Sequence, residues 1–181
     1  MHKKESILKL GLVLFLICAL VTLALAAANY ITAPKIAAIT EKQEKEARAE
    51  VLSGADDFEK LSDKVYRGVK DGKTVGYAVN TNPSGFGGEI NMMVGLDETF
   101  QVSGVKIVSF SETPGLGSKA SEPKFLDQFK GKGADVCVVK GGAKNSNEVV
   151  AVSGATISSK AVTAGVTDAI KLAKEAGGAK E

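Results

Sequence analysis

The sequence has one histidine, no tryptophan and two cysteines, and each shortage excludes a class of function. The histidine is His2, so Ser-His-Asp and Cys-His catalysis and the usual zinc ligand sets lack residues. No catalytic set and no metal site is therefore predicted. Cys18 lies in an apolar run and Cys137 in a strand-like run about 120 positions later. No disulfide is predicted, and Cys137 is expected to be a small buried side chain.

Positive charge is also too sparse to form a binding surface. The formal net charge is +2 over 181 residues, and Lys3, Lys4 and Lys9 against Glu5 account for it. The rest of the chain is close to neutral, and its aromatic residues occur singly. The chain therefore has no basic surface to attract phosphates and no cluster of aromatic side chains on which bases could stack. This excludes nucleic acid as a partner.

One uncharged run, from Leu10 to Ala28, is 19 residues long. At about 1.5 Å per residue, it matches the ~30 Å hydrocarbon core of a bilayer. The alternative is a cleaved signal peptide, which the small residues Ala24 and Ala26 would suit, but such apolar segments usually hold only about 7 to 15 residues. We therefore predict a transmembrane anchor. The lysines before it predict a cytoplasmic N-terminus and an extracytoplasmic domain.

This pattern divides the chain into three predicted parts. They are a cytoplasmic tip with the anchor over residues 1–33, a linker helix over 34–57 and an extracytoplasmic domain over 58–181. Pro34 suits the first turn of a separate helix that runs to about Leu52 after the chain leaves the bilayer. The mixed charges of that helix are typical of a solvated spacer.

The domain is predicted to have an α+β fold. Asp71 and Gly72, between two strand-like runs, are typical of a type I′ hairpin turn. Further strands are predicted at residues 89–96, 102–110, 134–139 and 148–152. A short helix is predicted near Pro123 and a long one from Thr156 to Ala176. The apolar stripe of the long helix is predicted to comprise Ile157, Val162, Val166, Ile170 and Leu172. Short turns between successive strands favour an antiparallel or mixed sheet with helices packed on it.

A glycine-containing segment after one strand can bring the backbone close to a flat ligand. It is Glu112-Thr113-Pro114-Gly115-Leu116-Gly117. Pro114 stiffens it and the glycines allow close approach, although a plain turn would have the same composition. Residues 115–120 also fit a loose GxGxxA pattern. A dinucleotide-binding role is rejected, because Pro123 soon interrupts and the surrounding strands look antiparallel.

A second segment, Ser153-Gly154-Ala155-Thr156, lies where a strand ends and the last helix begins. Backbone N–H groups and the helix dipole at such a point favour an anion, for example a phosphate. An ordinary helix start, with Ser153 or Thr156 as its cap, also fits these residues. The residues alone leave both interpretations open.

The two segments, about 40 residues apart, together resemble the FMN-binding domain of the Rnf G subunit. The resemblance covers most of the region after the membrane and includes Val75-Gly76-Tyr77, residues 85–90 and residues 125–131. The single N-terminal anchor is similar too. The C subunit of the sodium-pumping NADH:quinone oxidoreductase shares these motifs on a longer chain, so the Rnf G family is preferred.

The resemblance implies a covalent cofactor. In that family a flavin transferase uses FAD to join FMN, through its phosphate, to the threonine of the S-G-A-T motif, which points to a phosphodiester at Thr156. Residues 153–155 and 112–117 are the other implied cofactor-binding residues. Redox chemistry then belongs to the flavin, so no catalytic side chain is needed. The family motif commonly has Asp where this chain has Val150, so attachment is expected to be slower.

The implied function is that of an electron-carrier subunit in a membrane-bound, ion-translocating ferredoxin:NAD oxidoreductase complex, and the implied location is the bacterial inner membrane. Its implied partners are the other subunits of the complex, and the flavin transferase during maturation. One alternative is an independent membrane-tethered flavoprotein that donates electrons to an extracellular acceptor. Another is a non-redox binding module that keeps the scaffold without the flavin, an option that Val150 leaves open.

Overall fold

A computed structural model describes the backbone of residues 2–177 and the side chains of residues 8–177. The chain forms two compact units that divide between Lys42 and Gln43. The first helix, α1, runs from His2 to Val51. Among the described residues it is the one helix long and apolar enough to cross a membrane, with a mean hydropathy of 2.8 in its most apolar window. The predicted three-part division of the chain stays a prediction.

Pro34 lies inside α1, so the predicted break between the anchor and a separate helix is wrong. Proline removes one backbone donor, but an apolar helix tolerates this because polar side chains can satisfy neighbouring carbonyl groups. The alanine, lysine and glutamate residues that follow are good helix formers and continue the helix.

The second unit contains a five-stranded antiparallel sheet in the order β1-β2-β3-β4-β5. Its strands are β1 (Asp57–Lys60), β2 (Val65–Lys70), β3 (Lys73–Thr81), β4 (Ile90–Leu96) and β5 (Val102–Phe110). The predicted hairpin between β2 and β3 is confirmed, with φ of 51° at Asp71 and 75° at Gly72. Strand β1 was not predicted, because its four residues are mostly charged and exposed.

Two short strands, β6 (Cys137–Val139) and β7 (Glu148–Val150), pair in parallel as a separate sheet. Both are shorter than predicted. Cys137 is exposed, so its expected burial is wrong. A two-stranded sheet beside the main one buries fewer of its side chains than a strand inside the five-stranded sheet would.

Helices cover one face of the main sheet. The predicted helices are confirmed as α2 (Pro123–Leu126) and α3 (Thr156–Gly177), with short 3-10 turns at Gly117–Ser121 and Asp127–Phe129. The main core joins α3 and the sheet through Val79, Met92, Val94, Leu96, Val162, Val166 and Ile170. Leu172 is partly buried there, but Ile157 is 55% exposed, so its predicted place in the stripe is wrong. At about 100° per residue, Ile157 lies roughly opposite Val166 on the helix.

The opposite face of the sheet receives the last turns of α1. A second small core there contains Ala47, Val51, Ala78 and Met93. Gly95 makes the close approach possible, because a Cβ at this position would overlap the Val51 carbonyl oxygen. The Ser103 hydroxyl donates to the same carbonyl at 2.7 Å. Residues 43–52 therefore pack as part of the second unit and brace β4 and β5, the strands that lead to the site described next.

Candidate functional site

The two segments singled out in the sequence meet at the first turn of α3. The first follows β5, which ends at Phe110, and the second joins β7 to α3. Between them is a cavity of about 380 Å³, here called the Thr156 cavity. Its wall consists of Phe86, Glu112, Thr113, Leu116, Gly117, Gly154, Ala155, Thr156, Ile157 and Ser158. Its volume falls in the range of about 300–1,000 Å³ that small-molecule sites occupy.

Most of the predicted cofactor residues line this cavity. They are Glu112, Thr113, Leu116, Gly117, Gly154, Ala155 and Thr156. Ser153 instead lies in the wall of a neighbouring cavity. Pro114 and Gly115 form the outer part of the loop, where Gly115 has φ 78° and its N–H donates to the Ser118 hydroxyl at 2.9 Å. These two residues shape the loop rather than line the cavity.

Three large apolar side chains in the wall are open to solvent: Phe86 is 69% exposed, Leu116 50% and Ile157 55%. In residues 43–177 only one other large hydrophobic side chain is exposed, Phe110 at 37%. Gathered apolar groups on a folded domain usually mark a site that a ligand or partner covers. The flat ring system of a flavin fits such a wall, because its faces are apolar and need shielding from water.

Glu112 is buried in the same wall, at 8% exposure. One carboxylate oxygen accepts a hydrogen bond from the Phe86 N–H at 2.8 Å, and the other accepts one from the Ser158 hydroxyl at 3.0 Å. Gly117 leaves room for this carboxylate, since a Cβ there would overlap Glu112 Oε2. The side chain thus ties the Phe86 loop and the start of α3 to its own segment.

Backbone geometry between β7 and α3 presents the helix start to the cavity. The Val152 N–H donates to the Ser159 hydroxyl at 3.0 Å, and the Ser159 N–H donates to the Ala155 carbonyl at 2.9 Å. Gly154 has φ 80°, a conformation that residues with a side chain rarely adopt. Thr156 is half-buried and lies in the first turn of α3, a helix of 22 residues. The free backbone N–H groups and the dipole at such a helix start favour a phosphate.

A second cavity, here called the Val150 cavity, meets the first at the S-G-A-T segment and has a volume of about 520 Å³. Its wall consists of Lys119, Glu122, Lys124, Phe125, Gln128, Val150, Ala151, Val152 and Ser153. Gln128 holds the backbone of Val150: its Oε1 accepts from the Val150 N–H at 2.8 Å, and its Nε2 donates to the Val150 carbonyl at 3.4 Å. This cavity is larger, but it lacks both Thr156 and the exposed apolar wall.

Sequence comparison decides the family. A profile of the FMN-binding domain matches residues 85–171, and a profile of the RnfG N-terminal region matches residues 1–51. The G subunit of the Na⁺-translocating ferredoxin:NAD⁺ oxidoreductase complex of Acetobacterium woodii is 41% identical, over 93% of this chain and 92% of that protein. The chain belongs to the RnfG family. The G subunit of the proton-translocating ferredoxin:NAD⁺ oxidoreductase complex of Clostridium ljungdahlii is 36% identical over the same shares of the two chains, 93% and 92%.

The fold of this RnfG protein is similar to that of a solved structure. The crystal structure of NqrC from Shewanella oneidensis matches with a TM-score of 0.53 and 30% identity over 57% of this chain. The chain spans about half of that structure, 52% of its length. The predicted family and the predicted α+β fold after an N-terminal apolar helix are both confirmed. The apolar helix and the family together identify a membrane protein with an FMN-binding domain.

Three residues of the Thr156 cavity were not among the predicted cofactor-binding residues: Phe86, Ile157 and Ser158. Signals for two of them were present in the sequence. Ile157 is out of phase with the buried stripe of α3, and Phe86 stands between Gly85 and Gly87, which is typical of an aromatic side chain that a loop presents to a ligand. No pattern distinguishes Ser158 from an ordinary helical serine, because its role depends on Glu112 folding back onto α3.

Proposed function

We propose that this chain relays electrons as the G subunit of a membrane-bound, ion-translocating ferredoxin:NAD oxidoreductase complex, through FMN joined to Thr156 by a phosphodiester bond. The observation that carries the proposal is the Thr156 cavity, which combines a helix start with an exposed apolar wall. Relatives that match over nearly the whole chain are G subunits of such complexes. This full-length match favours a complex subunit over an independent flavoprotein or a non-redox binding module.

The phosphate and the ring system of FMN would each have a matching set of residues. The first turn of α3 would hold the phosphate, since a phosphodiester keeps one negative charge and suits the positive end of the helix dipole. Phe86, Leu116 and Ile157 would cover the flat ring system and exclude water from it. The bound flavin supplies the electron-transfer chemistry, and the residues of the chain supply its orientation and its electrostatic surroundings.

Thr156 serves as an acceptor during attachment, without activation by its own domain. Glu112 is the one ionisable side chain in the cavity wall, and both its oxygens already accept hydrogen bonds, so no base is free to activate the hydroxyl. A separate flavin transferase would form the bond between Thr156 Oγ and the FMN phosphorus of FAD and release AMP. Covalent attachment keeps the cofactor in a compartment that has no flavin supply.

A threonine-specific experiment tests the attachment. The full chain is made together with a flavin transferase, and covalent flavin is measured by in-gel fluorescence under denaturing conditions. Thr156→Val should abolish the fluorescence, whereas Thr113→Val, a matched change in the same cavity wall, should keep it. Fluorescence that persists in Thr156→Val would refute the site. A wild-type chain that never fluoresces would refute covalent attachment.

The proposed orientation places the N-terminus in the cytoplasm and the domain outside, because Lys3, Lys4 and Lys9 precede the apolar run. Exposed Cys137 provides a reporter. In a Cys18→Ser variant, a membrane-impermeant maleimide should label Cys137 in cells whose cytoplasmic membrane is intact. Labelling that appears only after this membrane is broken would reverse the orientation. A mature chain that begins after Ala26 or Ala28 would replace the anchor by a cleaved signal peptide.

A further inference from the structure

Glu112 brings an isolated charge to the Thr156 cavity. It is buried, and a buried carboxylate is tolerated only when hydrogen bonds replace its water. The Phe86 N–H and the Ser158 hydroxyl supply those bonds, and both donors are neutral. Within residues 8–177 no lysine or arginine forms an ion pair with Glu112. The carboxylate is therefore solvated by dipoles, and no opposite charge of these residues compensates it directly.

Glycines on two sides reserve the space for this carboxylate. A Cβ on Gly85 would overlap Glu112 Oε1, and a Cβ on Gly117 would overlap Oε2. The same added atom on Gly117 would lie 2.9 Å from the Glu112 Cβ, so both ends of the side chain pack closely against this glycine. The hydrogen bonds and the glycines together hold the charge at one place in the cavity wall.

We propose that Glu112 lowers the reduction potential of FMN held in the Thr156 cavity. This inference rests on the proposed function. Reduction with two electrons and one proton adds one negative charge to the flavin ring. A nearby fixed negative charge opposes that change, and it does so more strongly in a wall of low dielectric constant than in water. Because Glu112 is held in place before reduction, it cannot relax away from the added charge.

The reduction potential of the bound flavin tests the charge directly. It is measured by spectroelectrochemical titration of the detergent-solubilised full chain, made with a flavin transferase. Glu112→Gln keeps the size of the side chain, an acceptor for the Phe86 N–H and a polar partner for Ser158, but removes the charge. A shift to more positive potential is expected. The matched control is Glu122→Gln, which removes the same charge from an exposed residue of the Val150 cavity and should give a clearly smaller shift.

Ser158→Ala tests whether the charge of Glu112 or its exact position determines the reduction potential. This variant keeps the carboxylate and removes one of its two hydrogen bonds, so any positive shift of its potential should be clearly smaller than that of Glu112→Gln. Gly117→Ala gives a second route if Glu112→Gln folds poorly, because the added methyl group displaces the carboxylate from the wall without altering Glu112 itself. A positive shift is expected there as well.

The outcomes distinguish this inference from the proposed function. If the wild type carries flavin and Glu112→Gln leaves its potential unchanged, lowers it, or shifts it no more than Glu122→Gln, the inference is wrong while the proposed function stands. A positive shift in Ser158→Ala as large as that in Glu112→Gln would also overturn it, because position and not charge would then be responsible. A wild-type chain that carries no flavin would refute both.

Discussion

The two cavities that meet at the S-G-A-T segment differ in chemistry more than in size. The Thr156 cavity has exposed apolar side chains around one buried carboxylate. The Val150 cavity is larger and has exposed charged residues, Lys119, Glu122 and Lys124, around buried Phe125. The smaller cavity suits a flat ring and the larger one suits a charged surface in water. The proposed cofactor site is therefore the smaller of the two cavities, chosen for its chemistry and not for its volume.

This comparison suggests a division of roles along one short segment. Thr156 borders the cavity that suits the finished cofactor, whereas Val150, at the position of the family's aspartate, borders the other. Under the proposed function, holding the flavin and being recognised by the transferase are then separable properties. Changes on the two sides of the segment should affect different measurements.

The largest effect is expected from a charge placed on the apolar wall. Ile157→Asp puts a carboxylate next to Thr156, where it repels the incoming phosphate and exposes the ring to a polar group. Covalent flavin should form more than about tenfold more slowly, a loss of more than ~1.4 kcal/mol in the attachment step. In-gel fluorescence during a time course measures this. Ile157→Val is the control and should behave like the wild type; equal loss in both variants would contradict the explanation.

A smaller effect, and one of opposite sign, is expected in the Val150 cavity. Val150→Asp restores the family's acidic residue and should accelerate attachment by up to about tenfold, or ~1.4 kcal/mol. Because Val150 does not border the Thr156 cavity, the final absorption spectrum should stay nearly unchanged. A time course under limiting transferase measures the rate, with Val150→Asn as the uncharged control. Equal rates for the wild type and Val150→Asp would make the departure neutral, and a slower Val150→Asp would mean that the transferase prefers an apolar residue.

Removing the side-chain hydrogen bonds to the Val150 backbone should have a still smaller effect on attachment. Gln128→Leu leaves the Val150 N–H without its acceptor, which should cost about 1–3 kcal/mol of unfolding free energy. Attachment should slow only slightly, because Val152 remains held by Ser159 and Ala155 still begins the first turn of α3. Chemical denaturation measures the stability. Gln128→Glu, which keeps an acceptor, should recover most of it, and a failure to do so would assign the loss to something other than this hydrogen bond.

No effect on flavin is expected from a turn that borders neither cavity. Asp97 accepts hydrogen bonds from the Thr99 N–H and hydroxyl and from the Gln101 N–H. Burial acts to raise the pKa of Asp97, but these hydrogen bonds outweigh it, and the pKa lies below its usual value. The carboxylate therefore contributes stability above the ordinary pKa of about 3.9, and this contribution is lost as the pH falls through the lower folded-state pKa.

Asp97→Ala should thus lower the unfolding free energy by about 1 kcal/mol at neutral pH and leave the attachment rate unchanged. The difference from the wild type should shrink in acid. Denaturation at neutral pH and at a pH below the folded-state pKa measures both values. A stability difference that stays constant with pH would contradict a role for the charged carboxylate, and slower attachment would show that even remote destabilisation affects the site.

The parts that the sequence predicted are those with local signals. The Asp71-Gly72 turn, strands β2 to β5 of the main sheet and the start of α3 at Thr156 follow from turn chemistry, alternation and motif. The parts that it did not predict depend on distant partners. Cys137 is exposed because β6 pairs in a separate small sheet, and Pro34 lies within a continuous helix. The sequence placed Glu112 in the loop after β5. Its hydrogen bonds to Phe86 and Ser158 could not be predicted, because these residues are distant in the sequence and meet only in the folded chain.

The close packing of the end of α1 on the sheet has a practical consequence for protein production. A water-soluble fragment that starts at Phe58 would remove Ala47 and Val51 and leave Ala78 and Met93 uncovered. Such a newly exposed apolar face promotes aggregation. A fragment that starts at Gln43 keeps the cover and omits the apolar window, so Gln43 is the boundary to choose when the domain is made without detergent.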